Sequence, residues 1–337
     1  MIEQATGQIA LIVPSNREES FLDFLKRWWV DPHKDYIDQI FLVWDGHDAP
    51  VKIVKAAENM PIQILTWKGM PDYFSRKDSA IRSYGFLEAY RQGYQYFVTM
   101  DDDCYPWLGQ DNVSSIRRHV ETISAGVPAF KSTVDGHIRG LPYTSSPKRI
   151  PVYVNVGLWQ GVPDVDSIHA LTNITPRSLS TGHTLVHPRE RIPMCGMNLA
   201  FTREVVPLMY FPPMGLGQPY ARFDDIWCGL FVQTVMHHLG LAMAYGEPYV
   251  FHSRASDPFI NLLKEAPGIP VNEELWKTLY SQYLVSDPTK SQVVANTYVS
   301  LIKGVKDLSC FPREYKTHLV SGMTEWINNF LPVRVTV

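Results

Sequence analysis

Long hydrophobic runs, paired cysteines and a surplus of either charge are all missing from this chain of 337 residues. The first apolar run, Ile9 to Val13, follows a polar start through Gln8 and is too short for a signal-peptide core or a membrane span. The four cysteines, Cys104, Cys195, Cys228 and Cys310, are far apart and form no Cys-x-x-Cys pair. That spacing suggests no disulfide framework and speaks against structural zinc. With 31 Lys and Arg against 34 Asp and Glu, the net charge is −3, so no basic field points to nucleic acid. No internal repeat or low-complexity segment is present. A soluble, cytoplasmic globular protein is the expectation. Rings are plentiful, 9 Trp and 17 Tyr, and suit sugar or base stacking as well as core packing.

Periodicity supplies the architecture. Ile9–Val13, Ile40–Trp44, Pro61–Leu65 and Tyr96–Met100 read as short buried strands. Between them lie helical patterns, one through Phe21, Leu22, Phe24, Leu25 and Trp28 and one from Ser79 to Tyr94. Such alternation predicts βαβ units, and so a Rossmann-like α/β mixed sheet flanked by helices, with 1–105 as a nucleotide-binding half. The stretch 106–270 reads as a second half, rich in Pro and Gly with short apolar runs, with strands at Pro151–Val156 and Tyr249–His252 and a helix from Asp224 to His238. A helical extension, 271–337, is expected to hold two or three helices, with Trp276, Leu279, Tyr280, Tyr283, Val293, Tyr298, Leu301 and Ile302 on apolar faces.

The fourth strand runs into Asp101-Asp102-Asp103-Cys104. Three adjacent carboxylates repel one another and are costly to bury. At the carboxyl edge of a sheet they face the ligand crevice of α/β proteins and suit a divalent cation with a phosphate or diphosphate. A solvated acidic turn is the plain alternative. Pro14-Ser15-Asn16-Arg17, after the first strand, presents Asn16 and Arg17 to a base or phosphate, or caps a helix through Ser15 or Asn16. Asp45-Gly46 offers an acceptor to a nucleobase N–H, or is a simple turn. Lys77 and Arg82 suit a diphosphate or base carbonyl, with Asp78 as a helix cap. In Met194–Phe201, Gly196 permits close backbone approach and Asn198 can bond a sugar hydroxyl, while Cys195 need not be a nucleophile. Asp224 and Asp225 stand at a helix start, where the dipole favours carboxylates, and are candidates for sugar contact or leaving-group assistance. His252 closes a short strand; with a distant carboxylate pair it suits Mn²⁺.

Together these segments resemble the reversibly glycosylated polypeptide family, whose plant members include UDP-arabinopyranose mutases. The likeness runs from about Ile9 to roughly Lys264. It rests on Lys77-Asp78-Ser79-Ala80, Asp101–Cys104, Ile138-Arg139-Gly140, Gly157-Leu158-Trp159, Pro193–Phe201, Gly217-Gln218-Pro219, Arg222–Trp227, His252-Ser253, Ala255-Ser256 and Pro258-Phe259. The resemblance implies a GT-A glycosyltransferase-like fold, a UDP-sugar (UDP-arabinose) as partner, and Mn²⁺ or Mg²⁺ bridging the diphosphate and an Asp-X-Asp type motif. It places Pro14, Asn16, Arg17, Asp45, Lys77, Asp78 and Arg82 around uridine. Asp101 and Asp102 reach ribose and metal, Asp103 bonds the metal directly, and His252 is the distal metal ligand. Trp159, Gly196, Asn198, Asp224 and Asp225 fall on the sugar side. Arg139 matches the arginine that the family reversibly glycosylates, although an arginine keeps its proton at neutral pH and is a poor nucleophile.

The chain departs from the plant pattern at Trp67–Ser75, which is several residues shorter, and at Ser145–Pro151, where Lys148-Arg149 stands in an altered frame. Either change reshapes the sugar or acceptor pocket. The expected activity is a UDP-pentose mutase with self-glycosylation. The alternatives are a metal-dependent transferase acting on an external acceptor and a non-catalytic UDP-sugar-binding subunit. Homo- and hetero-oligomers are both compatible with the sequence.

Overall fold

In the computed structural model, residues 8–107, 112–129, 139–141, 149–172, 182–253, 256–287 and 292–337 are described. Ile138, Lys148 and Ala255, part of the motifs above, and most of the Ser145–Pro151 loop lie outside these residues.

The amino-terminal half alternates as its periodicity predicts. Its elements are β1 (Ile9–Ser15), α1 (Glu18–Trp28), β2 (Gln39–Trp44), α2 (Val51–Ala57), β3 (Ile62–Leu65), α3 (Arg82–Arg91) and β4 (Tyr96–Met100). The four strands are parallel in the order β3-β2-β1-β4. The chain winds outward from β1 to β3 and then crosses to β4 on the other side of β1. That reversal makes the carboxyl ends of β1 and β4 the switch point where such sheets bind ligands. The expected helix from Ser79 divides into a short 3-10 turn, Ser79–Ile81, and α3, which ends before Gly93, at φ +92°.

The second half adds β5 (Cys104–Pro106), α4 (Ser115–Ala125), β6 (Val127–Pro128), β7 (Arg149–Ile150), β8 (Val152–Gly161), α5 (Ser167–Leu171), β9 (His183–Leu185), β10 (Asn198–Thr202), α6 (Asp224–His238) and β11 (Ala242–His252). The main sheet continues β4-β10-β8-β11-β5, with β10 antiparallel to both β4 and β8. The two expected strands are segments of the longer β8 and β11, and α6 spans its expected residues. Pairing of β11 with β5 sets His252 opposite Cys104, beside the aspartate triplet.

Both faces of the sheet are covered, so its strands are apolar on both sides. Ile9, Leu11 and Val13 face α1, α2 and α4, while Ala10 and Ile12 join the core under α3 and α6. Helix α6 is apolar almost all round because it runs through that core. Four helices follow, α7 (Pro258–Glu265), α8 (Ile269–Tyr280), α9 (Val293–Asp307) and α10 (Arg313–Ile327). Residue 271 lies within α8, and Leu275, Tyr298, Tyr315 and Trp326 share one core with Phe74, Tyr84 and Trp227. The carboxyl-terminal helices are thus packed into the same core as the sheet and α6. Tyr280 and Tyr283 differ from expectation, at 54% and 86% exposed. The inward stripe of α8 is Val271, Leu275 and Leu279; Tyr280 is one residue, about 100°, around from it, and Tyr283 lies past the helix end.

A polar seam fastens β8, β10 and β11. Between Gly246 and Tyr249 the register of β11 shifts, and Asn198 Nδ2 donates to Pro248 O at 2.8 Å and to Leu158 O at 2.7 Å. Those bonds aim Asn198 Oδ1 at His119 Nε2, 2.8 Å away, and Asn155 Nδ2 donates to His119 Nδ1 at 2.9 Å. Gly157 is required beside this seam, since a Cβ there would stand 2.2 Å from Asn198 Nδ2. Asn198 is wholly buried with its amide committed. It holds strands together and is no sugar ligand, a correction to the sequence expectation.

Burial pushes His119 down to about 4 from 6.5, against the bond from Asn198. The unfolded chain therefore binds a proton that the folded chain refuses between these values. The seam is fully stabilising above about pH 6.5 and weakens as the pH falls toward 4, by on the order of 3 kcal/mol for His119. Denaturant unfolding at pH 7 and pH 4 should show this loss, and His119→Gln should show a markedly smaller one. An equal loss in the variant would contradict the assignment.

Candidate active site

The three aspartates leave β4 at the switch point, and each meets a different environment. Asp102 is buried. Its Oδ2 accepts the Ser15 hydroxyl at 2.5 Å and Arg17 Nε at 3.3 Å, and its Oδ1 accepts Arg17 Nη2. Arg17 Nη2 also reaches Asp103 Oδ2 at 2.9 Å. Burial, and then the Asp101 carboxylate, push Asp103 up, against the pull of Arg17 and His252. Ser15 does not cap α1. Its oxygen accepts Arg17 N–H at 3.0 Å while its hydroxyl holds Asp102. Pro14 is buried, and Asn16 is exposed at the rim.

Asp101 belongs to Arg82. This guanidinium is 2% exposed and donates from Nη2 to Asp101 Oδ1 at 2.6 Å. Its Nη1 donates to Thr99 Oγ1 at 3.1 Å and to Gly196 O, and its Nε to Ser79 O at 3.1 Å. Gly196 has no side chain because a Cβ there would lie 2.8 Å from Arg82 Nη1. With its donors so engaged and its group enclosed, Arg82 is a support beneath the crevice and not a nucleotide ligand. That corrects the sequence expectation.

On the β2 side, Asp45 Oδ1 accepts Trp67 Nε1–H at 2.9 Å and Lys77 N–H at 3.0 Å. Lys77 takes φ +60°, a strained value for a non-glycine residue, and the bond to Asp45 helps to hold it there. Its exposed amino group lies 5.2 Å from the Trp67 ring centre. Asp78 Oδ1 accepts Ala80 N–H at 2.9 Å and so caps the 3-10 turn. Burial, then the Asp224 carboxylate, push Asp78 well up.

The opposite wall is formed by the start of α6 and the loop before β10. Asp224 is buried, accepts the Ser79 hydroxyl at 2.7 Å, and is pushed up by burial. It is closed off under the 3-10 turn. Asp225 is more open; its Oδ2 accepts Gly196 N–H at 2.9 Å. Burial, and then Asp224, push Asp225 up to about 8, although both its oxygens accept backbone N–H groups, the second from Ile226 at 2.8 Å. Cys195 donates its thiol to Asp164 at 3.1 Å, and burial followed by that carboxylate push the thiol well up. It is not an activated nucleophile. Trp159 is half-buried on β8.

A cation fits between Asp103 and His252. His252 Nδ1 meets Val162 O at 2.9 Å, which fixes the tautomer and leaves Nε2 a free lone pair. That nitrogen stands 4.0 Å from Asp103 Oδ1. Two ligands at about 2.1 Å from one ion can be up to about 4.2 Å apart. Asp101 is spent on Arg82, and among the described residues no three His, Cys, Asp or Glu side chains converge on one point. A hard ion here takes two protein ligands and needs phosphate oxygens or water for the rest. Arg139 is exposed in the turn 139–141. The parts played by Trp67 and Asp164 have no motif to announce them; Ser15 and Ser79 lie within quoted segments, at a strand end and a helix start, but not in the roles they play.

Comparison with known proteins was made on this geometry. The sequence signature of the family described as reversibly glycosylated polypeptide matches residues 42–334. A Pisum sativum protein named probable UDP-arabinopyranose mutase 1 is 31% identical over 95% of this chain and 89% of its own length. Arabidopsis thaliana UDP-arabinopyranose mutase 3 is 31% identical over 95% of this chain and 90% of its own. Among solved structures, S. aureus TarS 1–349 in complex with UDP-GlcNAc overlaps with a TM-score of 0.46 at 11% identity, over 96% of this chain and 72% of that one. An overlap that loose adds nothing to the reading of the site.

Removing Arg82 tests the support. Arg82→Met leaves Gly196 O without its donor and Asp101 and Asp224 without a buried counter-charge, and should cost about 3 kcal/mol. Arg82→Lys should recover only part, because one ammonium cannot span these acceptors. A parental denaturation midpoint for Arg82→Met would show that the network holds nothing.

Proposed function

The chain belongs to the reversibly glycosylated polypeptide family, and from that premise we propose that it interconverts UDP-arabinopyranose and UDP-arabinofuranose or a closely similar UDP-pentose pair. The observation that carries the proposal is the 31% identity to UDP-arabinopyranose mutases across 95% of the chain. The crevice supports it. Acidic residues at the switch point suit a metal-bound diphosphate, and a carboxyl group of raised proton affinity, Asp225, stands on the opposite wall. Four free cysteines suit a reducing compartment, the cytoplasm.

In this reading Asp45, with Oδ1 already occupied, turns its second oxygen to a base N–H, and Lys77 faces the nucleotide. Asp103 and His252 would hold Mn²⁺ or Mg²⁺, which would supply Lewis-acid stabilisation of the charge on departing UDP. The bond from C1 to the phosphate oxygen breaks, and UDP leaves with the electron pair. A guanidinium nitrogen of Arg139 bonds C1 and gives up a proton to its surroundings. The ring oxygen then leaves C1, taking a proton from Asp225. A different hydroxyl closes on C1 and returns the proton to Asp225, and UDP displaces the arginine, which regains from its surroundings the proton it gave up. A carboxyl group with an affinity near 8 suits this exchange, because proton donors work best near the ambient pH.

Incubation with UDP-arabinopyranose and Mn²⁺, followed by separation of the nucleotide sugars, should yield the furanose form. Release of UDP and free sugar alone would favour transfer to an external acceptor. Arg139→Ala should abolish both labelling of the protein by the sugar and interconversion; continued turnover in that variant would sink the arginine-bound step.

A further inference from the structure

The charges at the aspartate triplet are already balanced in part by the protein itself. Asp101 is matched by Arg82, which is enclosed. Asp102 and Asp103 are matched by Arg17, whose side chain is 33% exposed and borders the crevice. With both arginines counted, the triplet carries −3 + 2 = −1. Asp102 does not depend on Arg17 alone, since the Ser15 hydroxyl also holds it at 2.5 Å. Asp103 does: Arg17 is its nearest cation, at 2.9 Å, and His252 Nε2 waits 4.0 Å from its other oxygen. Arg17 is the N-cap residue of α1, and its side chain makes no capping bond that would tie it to the helix.

From this arrangement we infer that Arg17 is a tethered stand-in cation. It occupies Asp103 in the ligand-free protein and gives it up when a divalent ion and a nucleoside diphosphate arrive together. A divalent ion alone must displace a guanidinium from Asp103 and sit beside its positive charge. A diphosphate alone brings negative charge to a site that is already −1. When both arrive, the ion takes Asp103 and His252. Arg17 keeps Asp102 as a pivot through Nε and Nη2 and turns the N–H withdrawn from Asp103 to a phosphate oxygen, for which a guanidinium fork is well shaped. Each ligand removes the obstacle to the other, so their affinities are coupled, and coupling between sites is typically 5- to 150-fold. The inference rests on the proposed function only for the metal and the diphosphate, not for the fate of the sugar.

Binding of Mn²⁺ to the full chain, followed by electron paramagnetic resonance with and without UDP, is the test. The parent should bind free Mn²⁺ weakly and gain roughly 50-fold when UDP is present. Arg17→Met should bind nucleotide-free Mn²⁺ about tenfold tighter than the parent and gain much less from UDP. Arg17→Gln keeps donors for Asp102 without the charge, carries the same expectation, and replaces the methionine variant if that one fails to fold. Nucleotide-free affinity that is no tighter in the neutral variants, or a UDP gain equal to the parent's, would overturn the stand-in role. So would a parent whose Mn²⁺ affinity ignores UDP. Neither readout needs turnover: a chain that binds in this way and forms no furanose would refute the mutase reading and leave the inference about Arg17 standing.

Discussion

One buried guanidinium organises this molecule. Arg82 is 2% exposed and bonds the end of β4, the loop before β10 and the turn before α3. Such a charge is tolerated only where hydrogen bonds and opposite charges replace water. The replacements fix the site. Asp101 is held on the floor of the crevice, the Gly196 backbone is drawn against the guanidinium, and the Gly196 N–H is left aimed at Asp225. Catalytic candidates on opposite walls are therefore positioned through one side chain that touches no ligand.

Two electrostatic regimes result. On the β1–β4 side Arg17 is added to Arg82, and the two arginines still leave the three carboxylates with negative charge available to a metal. On the α6 side Asp78, Asp224 and Asp225 crowd together with Arg82 to offset them, and burial pushes each upward. One wall is suited to a charged diphosphate and the other to storing a proton. This division follows from sheet topology. β4 delivers the triplet at the switch point, while β10, antiparallel beside it, brings the loop of Cys195 and Gly196 to the same edge.

Much of this was legible in the sequence, for identifiable reasons. The parallel strands and α1 announce themselves because local periodicity reports burial on one or two faces. α6 was legible from its acidic start and apolar run. The fold class and the family followed. What could not be read is which donors are already spent. Arg82 and Asn198 look like ligand-binding residues in a string of letters, and only the fold shows Gly196 O, Thr99, Leu158 O and Pro248 O consuming their hydrogens. Tyr280 and Tyr283 misled in the opposite sense, since large rings next to an apolar stripe need not join it. The core that α8–α10 share with α3 is a long-range contact with no local signature.

The account turns on the sugar leaving UDP while its ring is rebuilt. Positional isotope exchange reads this directly. UDP-arabinopyranose is prepared with heavy oxygen in the bridge between C1 and the outer phosphorus, then incubated with the protein and Mn²⁺. Reversible cleavage lets the freed phosphate rotate, so the label should spread into the non-bridging oxygens at least as fast as furanose accumulates. Label that stays in the bridge while furanose forms would mean that the ring is remade without breaking the bond to UDP, and would contradict the account.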